Sequence, residues 1–371
     1  MTVRVCHVTC GHLPSDGRIF QRECRSLAKK YEVSLIAPNT IDFEQDGVKV
    51  YGVELPKGRI KKLLRFISIL QKAIEIDADI YQFHEPELLP IGEKLRKRGK
   101  KVIFDSHEDT PQQLAEKTWI PSYLRKPLVF LYTRYEKRVL KRFDAVVSVT
   151  PSIVERLKNV NPETYMITNY PVFKSFPDNR LFGPYVCFAG GISPQWMHDK
   201  VVDALEGSDV VYLLAGKVQN EEFFSGLKGK PAWSQVDFKG LLPHDQVWSL
   251  MERSSAGIAL NDYVANVGYK VGSLGNTKLF EYMMAGIPVI ATDFLLWREI
   301  VDGYDCGICV DPNDVEAIRS AVLYFVENPD EARRKGDNGR LAVKEKYSWA
   351  TQEPILYKMY DRVIAKRKKY D

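Results

Sequence analysis

Short apolar runs alternate with amphipathic patterns along the first half of the chain, and each run is long enough for one buried strand. Between the runs lie stretches such as RIFQRECRSLAKKY, which places Ile19, Cys24, Leu27 and Ala28 on one helical face. Strands that alternate with helices in this way form parallel sheets joined by crossover helices. The predicted strands are VRVCHVT, EVSLIAP, VKVYGVEL, DIYQFH, KVIFDSH, DAVVSVT and TYMITNY.

The same alternation restarts after a weakly periodic stretch, residues 169–184, which is rich in proline and asparagine. Each half opens with a strand that runs into a glycine turn, RVCHVTCGH in one and YVCFAGGIS in the other. We therefore predict an α/β fold of two Rossmann-like, doubly wound domains that face each other across a ligand-binding cleft. The strands predicted for the second half are YVCFAGG, DVVYLLAG, VDFKG, AGIALN, IPVIATD and CGICVDP.

A chain of 371 residues, of which 45% are hydrophobic and 27% charged, is long enough for two domains with substantial cores. The predicted boundaries follow from the restart of the pattern. Residues 1–174 form the first domain and residues 175–345 the second. A C-terminal helix over residues 346–371 is expected to pack back on the first domain.

The sequence also predicts where the protein is found and what it binds. No apolar run is long enough to span a bilayer, and the N-terminal MTVRVCHVTC lacks the features of a signal peptide, so we expect a cytoplasmic protein. Of the six cysteines, Cys306 and Cys309 form a CxxC pair, but a zinc site needs a second pair at matching spacing, so no metal is expected. Residues 1–172 carry 29 Lys and Arg against 21 Asp and Glu, a net charge of +8, and the remainder carries 24 against 27, a net charge of −3. An acidic partner is therefore expected to meet the first half.

Lys278 lies at the start of a predicted helix, where the positive end of the helix dipole disfavours a cation. The loop GSLG precedes this helix, Asn276 or Thr277 is its expected N-cap, and Glu281 follows one turn later on the same face as the lysine. Loop amides and a lysine together suit a phosphate or diphosphate, and Glu281 suits ribose hydroxyls. A solvated ion pair between the two side chains, worth ~0.2–0.5 kcal/mol, is equally compatible with the spacing.

Polar residues follow several of the predicted strands. His107 in FDSHED ends one strand, where an imidazole is able to hydrogen-bond a polar ligand; the alternative is a structural histidine bonded to its acidic neighbours. His84 in QFHEPE has the same placement, and the two interpretations are equally open for it. Gly11 and His12 end the first strand in the long loop CGHLPSDGR, and Arg18 at the end of this loop either caps the next helix or contacts a ligand.

The second glycine turn contains Gly190 and Gly191, which allow the backbone to approach the phosphates of a ligand closely. An ordinary strand-to-helix turn explains the same pair, because two adjacent glycines are a weak signal on their own.

Three stretches of the first half combine cations with apolar or aromatic side chains. Residues 57–72 and 94–101 carry six cations each and no acid, and residues 119–142 carry seven cations among five aromatic residues. Basic amphipathic segments with aromatic residues lie on anionic bilayers, at ~1 kcal/mol for each near-surface cation. Solvated faces of crossover helices are the alternative for any one segment, but three in one domain favour peripheral contact with the inner face of the plasma membrane. Nucleic acid binding is not expected, because no recognised binding motif accompanies the charge.

The motifs also carry a family resemblance that covers nearly the whole chain in order. NTKLFEYMMAGIPVIATD, residues 276–293, resembles the signature of the family 4, or group 1, retaining glycosyltransferases, which have the GT-B fold. SDGRIFQRECRSLAKKYEVSLIAP resembles the first crossover of a branch of that family, and DIYQFHEPELLPIG and KVIFDSHED resemble its two histidine-bearing strand ends. FAGGISPQ resembles the glycine turn that opens its second domain, and CGICVDPNDVEAIRSAV its closing strand and helix.

The resemblance implies metal-independent transfer of a sugar from a nucleotide donor, with retained anomeric configuration and no cofactor. The donor is expected on the second domain and the acceptor mainly on the first. The residues implied in donor binding are Gly190, Gly191, Asn276, Thr277, Lys278 and Glu281. His107 is implied as the catalytic residue near the reacting sugar, and the acceptor-side candidates are Gly11, His12, Arg18 and His84.

The chain departs from the family pattern at two positions. Glu281 matches the second glutamate of the family's paired-glutamate motif, which binds the donor ribose, whereas Ser273 stands where the first glutamate is usual. Trp196 stands where a basic residue is usual. Lys278, the loop amides and Lys270 are expected to compensate for the missing cation near the diphosphate.

These inferences predict a retaining glycosyltransferase that moves a sugar from a UDP- or GDP-sugar to a lipid-linked or surface-polysaccharide precursor by front-face attack. A nucleotide-sugar epimerase of the same fold is one alternative, and it would release an altered free nucleotide sugar. A catalytically decayed sugar-nucleotide-binding subunit is the other, and it would bind the donor without transferring the sugar.

Overall fold

The computed structural model describes residues 2–54, 62–117, 119–176, 180, 182–264 and 267–366. The chain divides into two compact units, one made of Met1–Asn169 with Trp349–Asp371 and the other of Tyr170–Ser348. The chain thus leaves the first unit once and returns to it. The structure thus divides the chain after residues 169 and 348, whereas the predicted boundaries follow residues 174 and 345.

The first unit is built on an eight-stranded sheet. Its strands are β1 (Arg4–Val8), β2 (Glu32–Pro38), β3 (Phe43–Gln45), β4 (Val48–Val53), β5 (Ile80–Phe83), β6 (Lys101–Ser106), β7 (Ala145–Ser148) and β8 (Thr164–Met166). They lie in the order β3-β4-β2-β1-β5-β6-β7-β8, and all neighbours are parallel except β3 and β4. The strand order reverses at β1, which makes the ends of β1 and β5 the expected ligand-binding position of a doubly wound sheet.

The seven strands predicted for this half are confirmed, and β3 is additional. It forms a hairpin with β4 through Asp46 and Gly47, whose φ angles of 52° and 75° are both left-handed. Asp-Gly is a favoured pair for a two-residue hairpin turn, because glycine adopts positive φ without a steric penalty.

Among the residues that the structure describes, six helices precede the crossing to the second unit. A π-helical turn (Ile19–Cys24) continues into α1 (Arg25–Ala28), and a 3-10 turn (Pro86–Leu88) leads into the helix that begins at Leu89. The remaining helical bounds in this part are α2 (Lys62–Ile76), α3 (Leu89–Lys97), α4 (Thr110–Glu116), α5 (Ser122–Leu140) and α6 (Pro151–Lys158).

The second unit has a six-stranded parallel sheet in the order β11-β10-β9-β12-β13-β14. Its strands are β9 (Gly183–Ala189), β10 (Val211–Ala215), β11 (Val236–Gly240), β12 (Ser254–Ala259), β13 (Val289–Thr292) and β14 (Gly307–Val310). The order reverses at β9, so the glycine turn after β9 lies at the switch point of this sheet. Two doubly wound sheets confirm the predicted α/β fold class.

Helices flank this sheet, and several short 3-10 turns connect them: Pro194–Trp196, Pro231–Gln235 and Tyr269–Val271. The helices are α7 (His198–Leu205), α8 (Glu221–Lys228), α9 (His244–Glu252), α10 (Thr277–Ala285), α11 (Leu295–Gly303), α12 (Val315–Glu327) and α13 (Pro329–Glu345). Asn276 caps α10 by accepting a hydrogen bond from the amide of Lys278 at 3.0 Å, and Gly286 ends the helix with a φ of 75°.

The last helix, α14 (Trp349–Ala365), belongs to the first unit. It buries Leu356 and Met359 among the side chains on one side of the first sheet. The indole of Trp349 donates to the hydroxyl of Ser26 at 2.8 Å, and the hydroxyl of Tyr360 donates to Gln82 at 2.8 Å. Among the described residues, no helix combines the length and apolar character needed to cross a bilayer.

Candidate active site

Three neighbouring strands of the first sheet, β1, β5 and β6, end in polar side chains that meet at one buried carboxylate. Oδ2 of Asp105 lies 3.1 Å from Nε2 of His107 and 3.2 Å from Nδ1 of His84. Arg18 binds the same carboxylate with two hydrogen bonds, from Nε at 2.7 Å and from Nη2 at 2.8 Å. Residues far apart in sequence meet here because parallel strands end at the same edge of a sheet.

Arg18 is almost fully buried beneath this cluster. Its Nη1 donates to the carbonyl oxygen of Ile167 at 2.9 Å and to the side chain of Asn169 at 2.6 Å, and its Nη2 lies 3.2 Å from the Glu23 carboxylate. This burial leaves no surface for an acceptor, so the sequence-based assignment of Arg18 to the acceptor is corrected. The guanidinium instead holds Asp105 in place.

The charge of Arg18 also determines the protonation state of Asp105. Burial alone would raise the pKa of this carboxyl group, but Arg18 and the hydrogen bonds from His107 and His84 hold it well below its usual range. Asp105 is therefore an ionised acceptor throughout the physiological pH range.

His84 is buried as well, and its Nε2 lies 3.0 Å from Nδ1 of His7. Burial lowers the pKa of both imidazoles, so both are neutral at pH 7. The predicted acceptor-side role of His84 is corrected for the same reason as that of Arg18, because its ring faces protein atoms and not solvent.

The ionised carboxylate of Asp105 favours one arrangement of protons in this chain of imidazoles, although Nδ1 of His84 also lies 3.2 Å from Nε2 of His107. An ionised Asp105 only accepts, so Nε2 of His107 and Nδ1 of His84 carry the protons that face it. Nε2 of His84 then accepts the proton carried by Nδ1 of His7. In a neutral His107 the remaining nitrogen, Nδ1, is therefore a hydrogen-bond acceptor on a partly exposed ring.

The loop after β1 is fixed by a second carboxylate, that of Glu85 at the end of β5. Its oxygens accept a hydrogen bond from the hydroxyl of Thr9 and one from the amide of Gly11 at 2.9 Å. A Cβ at Gly11 would lie 3.3 Å from Glu85. The start of the predicted acceptor loop is thus held against the same strand ends as His107.

His12 in this loop lies next to His107, with 5.0 Å between the two ring centroids. Its Nδ1 lies 3.1 Å from Oδ2 of Asp16, and this contact raises the pKa of His12. Of the predicted residues in the first unit, the structure brings Gly11, His12 and His107 together at one surface.

In the second unit, the side chain of Lys278 crosses from the start of α10 to the end of β9. Its Nζ donates to the carbonyl oxygen of Ala189, directly before the glycine turn. The same nitrogen lies 4.9 Å from the ring centre of Phe188 and 5.3 Å from that of Trp196. Burial lowers the pKa of Lys278, and the nearby Glu281 acts in the opposite direction. The lysine therefore belongs to the glycine turn and not to a solvated helix face.

The glycines of this turn leave room for the surrounding side chains. A Cβ at Gly190 would lie 2.4 Å from Nζ of Lys278, and one at Gly191 would lie 2.4 Å from the Gln219 amide. A side chain at either position would displace one of these groups. The space beside Gly190, where the phosphates of a ligand were expected to approach the backbone, is occupied in this structure by the Lys278 side chain.

The other predicted donor-binding residues lie at the start of α10. Thr277 is its first residue and Glu281, which is partly buried, lies one turn further along. The amide nitrogen of the Asn276 side chain is buried, and it has no hydrogen-bond partner among the residues that the structure describes. A helix N-terminus, a partly buried lysine and an amide group without a partner among the described residues together form a site suited to an anion.

Two family models match the chain, "Glycosyl transferase 4-like domain" over residues 17–167 and "Glycosyl transferases group 1" over residues 175–342. The chain is a family 4, group 1 glycosyltransferase. It is 22% identical over 372 residues to an uncharacterised glycosyltransferase of Methanocaldococcus jannaschii, which covers 91% of each chain. It is 24% identical over 301 residues to a phosphatidyl-myo-inositol mannosyltransferase of Mycobacterium leprae, which covers 78% of this chain and 75% of that one.

Solved structures place the transferase in the GT-B fold. The HepE protein of Anabaena, determined in complex with UDP and glucose, matches with a TM-score of 0.72 and 13% identity over 97% of this chain and 99% of that one. The predicted family, fold class and enzyme class are therefore confirmed.

The two departures from the family pattern have structural roles in this transferase. The ring of Trp196 contacts the cation of Lys278. Trp196 therefore lies beside the lysine that is expected to replace the basic residue usual at position 196. The hydroxyl of Ser273 accepts from the amide of Gly275 at 3.1 Å, and its carbonyl oxygen accepts from the indole of Trp297 at 2.9 Å. Ser273 thus shapes the loop that precedes α10.

Sequence reasoning offered the contact between His107 and an acidic neighbour only as an alternative, and it missed Arg18 and the buried His7 as further members of this cluster. The available signal was the clustering of polar residues at strand ends, but their pairing depends on strand order.

The ligand atoms of His7, Glu23 and His84 lie close enough to hold a metal ion, as do those of His84, Asp105 and His107. The fixed charge of Arg18 lies against both carboxylates and disfavours a cation there.

Proposed function

We propose that the transferase moves a sugar from a UDP- or GDP-sugar to a lipid-linked or surface-polysaccharide precursor, with retained configuration and without a metal ion. The observation that carries the proposal is Lys278, a partly buried cation whose Nζ lies at the Gly190 turn, with the N-terminus of α10 beside it. A donor diphosphate would supply the counter-charge that favours the charged form of this partly desolvated lysine. UDP in the HepE structure supports a nucleotide donor, and the name of the M. leprae mannosyltransferase supports a lipid acceptor.

The arrangement around His107 supports front-face attack rather than a covalent intermediate. Two carboxylates at these strand ends are already engaged, Asp105 by Arg18 and Glu85 by the loop after β1. Neither is presented as a nucleophile. His107 would accept a hydrogen bond from a sugar hydroxyl through Nδ1, and Lys278 would stabilise the leaving diphosphate.

A lipid-linked acceptor requires the enzyme to work at a membrane, and we propose the cytoplasmic face. The three basic segments of the first unit support this proposal to different degrees. Of residues 57–72, the part up to residue 61 lies outside the described residues, and Leu64 and Ile67 of α2 are exposed. The cations of residues 94–101 lie in and after the last turn of α3, a helix whose apolar side chains are buried. Residues 119–142 are the strongest support.

The donor site is tested by calorimetric titration of UDP, GDP, ADP and CMP into the wild type, Glu281→Ala and Lys278→Met, with a chelator present. We expect one nucleotide to bind, and to bind at least tenfold more weakly to each variant, a loss of about 1.4 kcal/mol or more. Glu299→Ala, an exposed carboxylate on α11, is the matched control and should bind as the wild type does. Equal affinity of all four proteins, or no binding to the wild type, would contradict the proposal.

A further inference from the structure

The connection between β6 and β7 forms a helical hairpin, α4 and α5, that projects from the first unit. It begins at Thr110, directly after the loop that holds His107. No residue of α4 is buried, and in α5 burial begins only at Glu136, although all residues of both helices are described. Fourteen residues of α5, 122–135, therefore lack a buried side chain.

The exposed part of the hairpin is unusually apolar. Trp119 is 71% exposed, Tyr123 75% and Phe130 66%. The exposed apolar side chains of this segment are Trp119, Tyr123, Leu124, Leu128, Phe130 and Leu131. Contiguous exposed apolar surface in a globular protein marks a binding site for another apolar surface, because leaving it in water is costly.

Charge identifies the kind of surface that covers it. Residues 119–142 contain seven cations and a single acid, Glu136. That acid is buried and accepts a hydrogen bond from Arg156 at 2.5 Å, so the exposed face of α5 presents only positive charge. Apolar and aromatic side chains interleaved with cations match the interface of an anionic bilayer, where acyl chains lie beside phosphates.

The hairpin is anchored at its base and open along its length. Arg156 contacts both Glu136 of α5 and Asp109, the residue that caps α4, the latter at 3.3 Å. A cavity of about 530 Å³ lies along the two helices. Its lining is mostly apolar and includes Ala115, Val129 and Phe130, with Arg125 and Lys126 beside them. The volume is within the range of small-ligand sites.

We propose that the α4–α5 hairpin inserts its apolar side chains into an anionic bilayer, with Lys126 and Arg134 on the phosphates and an acyl chain in the cavity along the helices. The inference rests on the proposed function only in its use of a lipid-linked acceptor, and it narrows three basic segments to one element. Insertion there would bring the membrane surface to the strand end that carries His107.

The test uses the full chain and vesicles of phosphatidylcholine, alone or mixed with phosphatidylglycerol. We expect sedimentation with the mixed vesicles, and a partition coefficient lowered about 25-fold in Lys126→Gln, Arg134→Gln, at roughly fivefold for each near-surface cation. Lys97→Gln, Arg98→Gln at the C-terminal end of α3 removes two exposed cations elsewhere in the first unit and should change binding much less. Phe130→Ser, Leu131→Ser should also detach the protein, and lipids with brominated chains should quench Trp119, as judged against Trp119→Phe.

Equal loss of binding in the α3 and α5 charge variants, or binding that survives Phe130→Ser, Leu131→Ser, would overturn the inference. So would self-association that these apolar substitutions abolish, because a second copy of the chain would then cover the hairpin. Nucleotide titration of the same variants separates the two proposals, since a hairpin variant should bind the donor nucleotide as the wild type does. Vesicle binding without nucleotide binding would leave the hairpin assigned and reject the proposed function.

Discussion

At the scale of single residues, the buried Asp105 fixes the positions of the imidazoles in the candidate site. It accepts hydrogen bonds from His107 and His84, and Arg18 fixes both of its oxygens. A buried carboxylate held in this way sets the tautomer of each imidazole that it contacts. The partly exposed His107 thus owes the orientation of its acceptor nitrogen to a residue that never reaches a substrate.

Asp105→Asn should separate catalysis from binding. The amide removes the charge that favours the Nε2–H tautomer of His107, so we expect kcat to fall about 100-fold or more. The affinity for the donor nucleotide should stay within about threefold, because the donor residues lie in the other unit. Calorimetry, turnover measurements and ¹⁵N NMR of the histidine tautomers together check this prediction.

The substitution also leaves the buried guanidinium of Arg18 without its main partner, which is destabilising. The double variant Arg18→Met, Asp105→Asn removes both charges and serves as the control for folding. A stable double variant with unchanged kcat and an unchanged His107 tautomer would show that the pair has no positioning role.

His198, at the start of α7, makes stability depend on pH. Burial, with a further contribution from the charge of Lys278, lowers the pKa of this imidazole to about 3, and Nδ1 lies 3.0 Å from the hydroxyl of Tyr212. In the unfolded chain its pKa is about 6.5, so the folded state is favoured above that pH. The free energy of unfolding should therefore fall by up to about 1.4 kcal/mol per pH unit as the pH drops from 6.5 towards 3.

Urea unfolding of the protein at pH 7, 6, 5 and 4, with the transition of the second unit followed, measures how the free energy of unfolding changes with pH. His198→Gln keeps a hydrogen-bonding group and cannot gain the charge, so its slope should be smaller by the contribution of one proton. A variant slope equal to that of the wild type would mean that other groups account for the acid sensitivity.

At the scale of helices and strands, local signals predicted the elements that local chemistry determines. The sequence narrowed the N-cap of α10 to Asn276 or Thr277, and Asn276 is the cap in the structure, because a cap side chain acts within one turn. The apolar runs identified the strands of both sheets except β3. That strand has three residues, Phe43–Gln45, which is too short for periodicity to register.

Contacts between distant elements could not be predicted in the same way. Arg18 meets Asp105 across 87 residues and Lys278 meets Ala189 across 89, and both depend on which strands are neighbours. The amphipathic pattern of residues 119–142 likewise suits a buried crossover helix as well as a membrane-facing one. Only the burial of α5, confined to its last turns, distinguishes the two.

At the scale of the whole molecule, the two units differ in how the chain builds them. The second unit is a continuous segment, Tyr170–Ser348, whereas the first needs α14 to complete it. Tyr170 packs against Phe280 at 4.8 Å and Tyr347 at 5.4 Å between ring centres, so both ends of the continuous segment meet in its own core. The positive charge belongs to the discontinuous unit and the candidate donor site to the continuous one.

Because its ends meet and its sheet is complete, residues 170–348 expressed alone should fold in one cooperative transition. If the proposed donor site is correct, this fragment should bind the same nucleotide as the full chain, with an affinity within about tenfold, and Lys278→Met should weaken binding in both. Residues 1–169 expressed alone should fail to fold, because they lose the buried Leu356, Met359 and Tyr360 of α14. Thermal unfolding and calorimetry on the two fragments and the full chain provide the measurement. A folded fragment 170–348 that binds no nucleotide, beside a full chain that does, would mean that donor binding needs residues of the first unit.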